Sequence, residues 1–414
     1  MTYCSSIRAL FLGLAALGAL SIAPATRAHA EAQLLIEAST GKVLHAENAT
    51  YPWYPASVTK IMTAYTTLRA VKEGKISFNT LLTVSKNAAA QQPTKMGFKV
   101  GTHVTVDNAL KMLMVKSAND VAVTLAEGVG GSLEGFADMM NANARRLGMS
   151  QSNFVNPNGL PAENHVTSAR DLGILARAVI REFPDAESYW HISAIRYGNR
   201  VMRNYNSLID RYPGADGMKT GFICASGYNV VASATRNGRR LIAVVLGSYS
   251  GAVRAQKAAQ LLERGFNSGG LTWLTPSLGT VDALAPIDAQ PPNLREEMCG
   301  GHRRKPASED NEEEEPAADN TTSAKGESGN GQAFMLSSLK PANGKFVLGP
   351  PVETTAPVVV FTGPANRPDT VVQTASASPK KKKKSAAKAK AAGKQADAAK
   401  PAKSAKRKVS SASR

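Results

Sequence analysis

Cysteine, clustered histidine and long apolar runs are all scarce in this chain, and each shortage removes a class of protein. Three cysteines occur in 414 residues, and Cys4 lies in an N-terminal leader. Cys224 and Cys299 remain, one in a patterned region and the other in a region of low complexity, so two thiols are expected rather than a structural bridge. None of the six histidines stands at a metal-ligand spacing such as H-x-x-x-H, and neither a metal nor a cofactor is expected. The N-terminal apolar run, Ala9 to Ile22, is too short and too rich in alanine for a membrane span. It follows Arg8 and precedes Ala28-His29-Ala30, the small-x-small form that signal peptidases cleave. Residues 1–30 therefore read as an export signal, and the mature chain is expected in the periplasm or elsewhere in the cell envelope.

Acidic residues are nearly missing from the other end. From Lys380 to Arg414 there are 14 Lys or Arg against Asp397 alone, so 13 of the 18 net positive charges belong to the tail. The rest of the chain is close to balanced, and the basic total says little about a site.

What is present is one well-patterned region. Gln33 to Glu37 and Lys42 to His45 read as strands joined by a turn at Ser39-Thr40-Gly41. A helix is predicted from Ser57, with Ile61, Met62, Tyr65 and Leu68 on its apolar side. Leu81 to Val84 reads as extended. Further helices are predicted from Thr105 through Met114, over Val121–Glu127, through Phe136 to Leu147, and from Ser168 through Ile180. Tyr228 to Ala234 and Leu241 to Leu246 read as buried strands turning at Asn237-Gly238, with Lys219 to Phe222 as their neighbour. A helix from Ala252 to Leu262 would cover the sheet's other face. The expected fold class is α/β of the α+β kind: an antiparallel sheet flanked by helices, with an all-helical subdomain, over residues 31–270. Beyond about Gly270 the core-forming patterns fade. Residues 271–378, with the acid run Glu309 to Glu315, are expected to be a disordered linker, and 379–414 a disordered Lys/Ala-rich tail. A chain cut after about Gly270 is expected to keep its activity.

Three short motifs carry chemistry. Ser57 and Lys60 are three apart, so a helix places hydroxyl and amine on one face. An alcohol becomes a good nucleophile only when a base takes its proton, and a lysine serves as that base only if burial or a nearby cation disfavours its charged form. Ser117-Ala118-Asn119 presents a second hydroxyl and an amide from one tight turn, suited to carrying a proton and holding a peptide. Lys219-Thr220-Gly221 offers a cation and a hydroxyl to a carboxylate, with a glycine where another backbone can approach, which suits a peptide laid along the strand. Taken singly, each is better read as a helix cap, a snorkelling lysine or a bulge glycine.

In this order, with roughly 60 and 100 residues between them, the three motifs form the set found in penicillin-binding proteins and class A β-lactamases. The chain resembles the low-molecular-mass penicillin-binding proteins that are serine-type D-alanyl-D-alanine carboxypeptidases. Pro55 to Thr63, Met140-Asn141, Leu147-Gly148, Asn156 to Leu160, Asp216 to Gly221 and Gly227-Tyr228-Asn229 look like the family's other segments, so the likeness runs from about Gln33 to Phe266. It implies a β-lactamase/transpeptidase-like fold in which Ser57 forms an acyl-ester with the penultimate D-alanine. Lys60 would activate Ser57, and Ser117 would carry the proton to the departing D-alanine. Asn119 would hold the substrate amide, Lys219 and Thr220 the terminal carboxylate, with Gly221 between them and Phe222, and Arg254 a looser match for the same task. The backbone N–H groups of Ser57 and Phe222 would form the oxyanion hole. The implied partners are peptidoglycan stem peptides ending in D-Ala-D-Ala, with β-lactam antibiotics as covalent inhibitors.

The family's second, sandwich-like domain and amphipathic C-terminal anchor are not evident. The basic tail instead suits an anionic membrane or wall polymer. Such tails also resemble those of nucleic-acid binders, but export argues against nucleic acid. A class A β-lactamase needs a further glutamate, and no E-x-x-L-N lies between Ser117 and Lys219. An endopeptidase of D-alanyl cross-links, or a weakly catalytic wall-binding protein, shares every motif.

Overall fold

The hairpin expected near the N-terminus forms from β1 (Ala32–Glu37) and β2 (Val43–Glu47), turning at Gly41, whose φ of 75° suits a residue without Cβ. The structure is a computed structural model that describes residues 31–268, 277–301, 348–351 and 355–365. The proposed export signal, the acid run and the basic tail lie outside the described residues.

After the hairpin, a 3-10 turn (Ala56–Thr59) leads into α1 (Lys60–Lys72). There follow β3 (Leu81–Thr83), α2 (Lys86–Ala89), β4 (His103–Thr105), α3 (Val106–Val115), α4 (Asn119–Gly130), α5 (Leu133–Leu147) and α6 (Ala169–Glu182). Then come β5 (Ala194–Tyr197), β6 (Arg200–Arg203), α7 (Leu208–Arg211), β7 (Ala215–Ile223), β8 (Gly227–Arg236), β9 (Arg239–Ser248), α8 (Gly251–Asn267), α9 (Arg295–Cys299) and β10 (Val358–Val360). Several helix starts are capped as their sequences suggest: the side chains of Thr105, Ser132, Ser168 and Ser250 accept from Asn108 N, Gly135 N, Asp171 N and Val253 N.

The main sheet is antiparallel with strand order β2-β1-β9-β8-β7. Asn237 and Gly238 have φ of 51° and 74°, the left-handed pair that a tight hairpin between β8 and β9 requires. Because side chains alternate along a strand, the two faces feed two cores. Val231, Ile242, Val244 and Leu34 join α1 and the helical subdomain, whereas Val230, Ala243, Val245 and Leu35 pack beneath α8 on Ala258 and Leu262. Each fully buried Leu or Val stabilises by about 1.5–3 kcal/mol. Helix α1 is buried on nearly every side, from Lys60 to Leu68, which makes it the post around which α3, α4, α5 and α6 gather.

The connection between α5 and α6 is built around hydrogen-bonding asparagines. Asn156 accepts from Gly159 N at 2.7 Å and donates to Leu160 O at 2.9 Å. Gly159 has φ of 82°, and a Cβ there would lie 1.9 Å from Ala56 O, so this loop presses its bare backbone onto the turn that precedes α1. His165 secures the same joint: Val155 N donates to its Nδ1 at 2.9 Å, which leaves Nε2 to donate to Thr59 Oγ1, also at 2.9 Å. Burial lowers the His165 pKa to about 4.

Two expectations about the C-terminal third are corrected. Cys224 and Cys299 form a disulfide, with Cα atoms 5.5 Å apart across 75 residues of sequence. They meet because α9 docks on the turn between β7 and β8: Leu294 N donates to Ala225 O at 3.0 Å, and Met298 is buried against Gly227. The region 271–378 is also more than a linker. Val281, Leu348 and Val360 are buried, Thr280 bridges to Lys42, Arg211 donates to Gly349 O at 2.6 Å, and β10 pairs in parallel with β5. These contacts come from short segments separated by polar stretches, which is why no periodic pattern announced them.

The Cys224→Ser, Cys299→Ser double variant is expected to lose about 2–4 kcal/mol of unfolding free energy, read by denaturant melts, because the bridge closes a long loop. Reductant should destabilise the parent by a similar amount and leave the variant unchanged. A chain ending at Gly270 should melt lower still, since it also loses the buried Val281, Met298 and Val360. For His165, the unfolded chain takes up a proton near pH 6.5 that the folded chain refuses until about pH 4. The stability linked to this site is complete above about pH 6.5 and is lost as pH falls toward 4. Thermal melts across that range should show the decline, and His165→Gln should flatten it from a lower starting stability.

Candidate active site

Ser57 is delivered by a strained turn. Ala56, just before it, has φ of 51°, a left-handed conformation that costs a residue with a Cβ on the order of 1 kcal/mol or more, and it is held there by the loop at Gly159. The predicted helical spacing holds in outcome, although the first turn is 3-10 and the α-helix starts at Lys60. Lys60 is fully buried, and its amine donates to Ser57 Oγ at 2.9 Å, Asn119 Oδ1 at 2.8 Å and the Asn158 carbonyl at 2.6 Å. These three acceptors are neutral oxygens.

Asn119 opens α4 and is anchored in turn: its Nδ2 donates to Gln92 O at 2.9 Å and its backbone N to Thr94 O at 2.7 Å. Ser117, on the same short connection between α3 and α4, has φ of 56°. The Ser117 and Thr220 hydroxyls are both buried and have no hydrogen-bond partner among the described residues. Buried hydroxyls usually find partners, so both stand out as groups able to meet a ligand.

The third motif arrives on β7. A Cβ built on Gly221 would lie 2.6 Å from Ser57 N and 2.9 Å from Val58 N, so the glycine lets strand and turn touch. The backbone that approaches this glycine is that of the Ser57 turn. Lys219 and Thr220 lie buried just upstream, and Lys219 Nζ donates to Thr220 O at 3.1 Å. Phe222 stacks on Tyr228 with ring centres 4.2 Å apart. Arg254 lies on α8, buried, donating to Asn229 O at 3.4 Å and sitting 5.7 Å from the Tyr228 ring centre. Asn229 and Tyr228 pair with Gly221 and Phe222 of β7.

Some of the supporting residues were visible only as parts of segments that resemble the family, with no sign of what they hold. Asn229 is fully buried and donates to Tyr54 O and Pro55 O at 3.0 and 3.1 Å while accepting from Gly247 N, so one side chain ties β8, β9 and the approach to Ser57 together. Asn158 and Gln92 reach Lys60 and Asn119 through backbone carbonyls, which any residue type supplies, while Thr94 adds its hydroxyl, which donates to Ser117 O at 2.9 Å. The asparagine-rich loop was visible as a turn, but what it leans on was not. Beside the Ser57 turn opens a cavity of about 320 Å³ lined by Tyr54, Ala56, Gly159, His165 and Ile223 among others. Among the described residues no cluster of His, Cys, Asp or Glu is arranged to hold a metal. The arrangement combines an alcohol within reach of a buried amine, two unengaged hydroxyls and a second lysine on an adjoining strand, which suits acyl transfer through a serine ester.

Comparison with known proteins agrees. A sequence profile described as D-alanyl-D-alanine carboxypeptidase matches residues 20–250. The curated D-alanyl-D-alanine carboxypeptidase DacC of Escherichia coli strain K12 is 37% identical over 248 residues, which is 57% of this chain and 61% of that one. This chain therefore spans about three-fifths of the length of that relative. Crystal structures of the D-alanyl-D-alanine carboxypeptidase DacD from Francisella tularensis (31% identity, TM-score 0.56) and of penicillin binding protein 5 from Haemophilus influenzae (34% identity, TM-score 0.56) each align over 57% of this chain, and over 70% and 71% of theirs. With the profile matching more than half of its length, and the Ser57, Ser117 and Lys219 segments gathered on one α1–α4–β7 framework, the chain belongs to the D-alanyl-D-alanine carboxypeptidase family.

Proposed function

We propose that the protein is a serine carboxypeptidase that removes the terminal D-alanine from peptidoglycan stem peptides. The observation that carries this reading is the buried Lys60 amine held 2.9 Å from Ser57 Oγ. A lysine acts as a base only where its charged form is disfavoured, as it is by burial, and as the neutral amine it would accept from Ser57 Oγ rather than donate to it. Ser57 Oγ attacks the carbonyl carbon of the penultimate D-alanine and passes its proton to Lys60. The oxygen of the tetrahedral intermediate is stabilised by the N–H groups of Ser57 and Phe222. As the C–N bond breaks, Ser117 hands a proton to the departing amine and regains one from Lys60, which is left as the neutral amine. Water then attacks the ester carbon, the bond to Ser57 Oγ breaks, and the proton returns to the serine.

Asn119 holds the substrate amide while Lys219 and Thr220 bind the terminal carboxylate, with Arg254 a looser candidate for the same task. The cavity of about 320 Å³ suits the acyl side of the peptide. The same chemistry opens a β-lactam ring, so these antibiotics act as covalent inhibitors. No helix among the described residues is long and apolar enough to cross a membrane. The leader supports export to the periplasm or envelope, and the basic tail suits contact with an anionic membrane or wall polymer.

Fluorescent penicillin should label the protein at Ser57, and Ser57→Ala should abolish both the label and D-alanine release. Mass spectrometry of a purified muropeptide should show the loss of one alanine; an unchanged mass, or substantial turnover by Ser57→Ala, would remove the assignment. Lys60→Ala is expected to slow acylation by about 10²- to 10⁴-fold, the span of general-base contributions, in a stopped-flow penicillin assay.

A further inference from the structure

The cavity beside the Ser57 turn is walled by Tyr54, Pro55 and Ala56, by residues 159–163 with His165, and by Ile223 and Ala225 at the end of β7. Ile223 is two residues on from Gly221, so it shares the face of the strand on which Gly221 meets Ser57 N. Lys219 and Thr220 lie toward the other end of β7, and the strand from Thr220 to Ile223 covers about 10 Å. Both walls are held in place. Leu160 N donates to Asn158 Oδ1 at 3.1 Å, His165 N to Ala162 O at 3.3 Å and Asn153 Nδ2 to Asn164 O at 2.9 Å. Opposite them, Leu294 N donates to Ala225 O at 3.0 Å, next to the disulfide at Cys224. Glu163 is the one acidic residue of the lining, and no lysine or arginine lines it. His165 engages both ring nitrogens within the wall, and burial lowers its pKa to about 4, so it adds no charge at neutral pH. Glu163 is exposed, which sets its carboxylate at the solvent side of an otherwise uncharged recess.

We infer that this cavity is a specificity subsite for the residue that precedes the penultimate D-alanine, and that it takes a side chain with an aliphatic stem ending in an amine, which Glu163 receives. The inference rests on the acyl-transfer reading above, which sets the direction. With the terminal carboxylate at Lys219 and Thr220 and the reacting carbonyl at the N–H groups of Ser57 and Phe222, the acyl half of an extended peptide runs on past Ile223. Leu160, Pro161, Ala162 and Ile223 offer hydrocarbon to the stem, and the carboxylate stands where the stem would end. An aliphatic amine suits such a recess because its methylenes are covered while its charged head stays in water. An acidic side chain would meet Glu163 as a like charge, and a neutral one of equal length would fill the recess without the ion pair.

The test uses the full chain and two peptides with an acetylated N-terminus that end in D-Ala-D-Ala and differ only in the residue before that pair, L-lysine in one and L-norleucine in the other. Norleucine keeps the hydrocarbon stem and lacks the amine. The expected result is a kcat/KM for D-alanine release roughly fivefold higher for the lysine peptide, as an exposed ion pair allows, shrinking in about 0.5 M NaCl. Glu163→Gln should bring the ratio close to one, and Glu163→Lys should invert it. Cleavage of both peptides at equal kcat/KM by the parent would overturn the subsite and leave the carboxypeptidase reading intact. A preference for lysine that survives in Glu163→Gln would show that the amine is read by another part of the surface, and would also overturn it. If neither peptide loses D-alanine, the carboxypeptidase reading fails and the subsite fails with it.

Discussion

The burial of the Lys60 amine, and the need to give it acceptors, is the constraint on which the rest of this structure depends. Lys60 is satisfied by three segments that are distant in sequence: the Ser57 turn, the start of α4 at Asn119 and the loop carbonyl of Asn158. A lysine with no exposure to water tolerates no gap in that set, because each lost acceptor leaves a polar group stranded. The neighbouring features serve this geometry. The left-handed Ala56, the bare backbone of Gly159 and the His165 bridge each fix one wall of the chamber, and Asn229 fixes the strand that faces it.

Much of this was legible from residues alone, and the reason is that periodic and local signals are physical. The β8–β9 turn followed from Asn237-Gly238, the α6 start from Ser168, and the helical spacing of Ser57 and Lys60 from a run of apolar neighbours. What could not be read was any role exercised by backbone. Asn158 and Gln92 contribute carbonyls that every residue possesses, and Gly221 was correctly seen as a point of close approach without any sign of what approached it. Arg254 matched only loosely, and in the fold it is buried on α8 against Asn229 and Tyr228 of β8.

The larger misreading concerned the region after α8. Low complexity suggests absence of structure, yet α9, the stretch around Leu348 and β10 each bury one or two apolar side chains. Such segments have too few residues to show a period, and their stability is borrowed from the surface they cover. The covalent bridge at Cys224 then follows from docking: once Met298 is seated against Gly227, the two sulfurs are within bonding reach.

The place of β1 in the sheet has a consequence for how the protein comes into being. Its inner neighbour is β9, so Leu34 must wait for Val244, and Ile36 for Ile242, about two hundred residues further along. Until then the first hairpin has a bare edge, of the kind that joins wrongly to another unfinished copy. Closure at such long range is slow, and a nascent chain that has reached α6 holds Ser57, Asn119 and Asn158 while still lacking the sheet against which their elements settle.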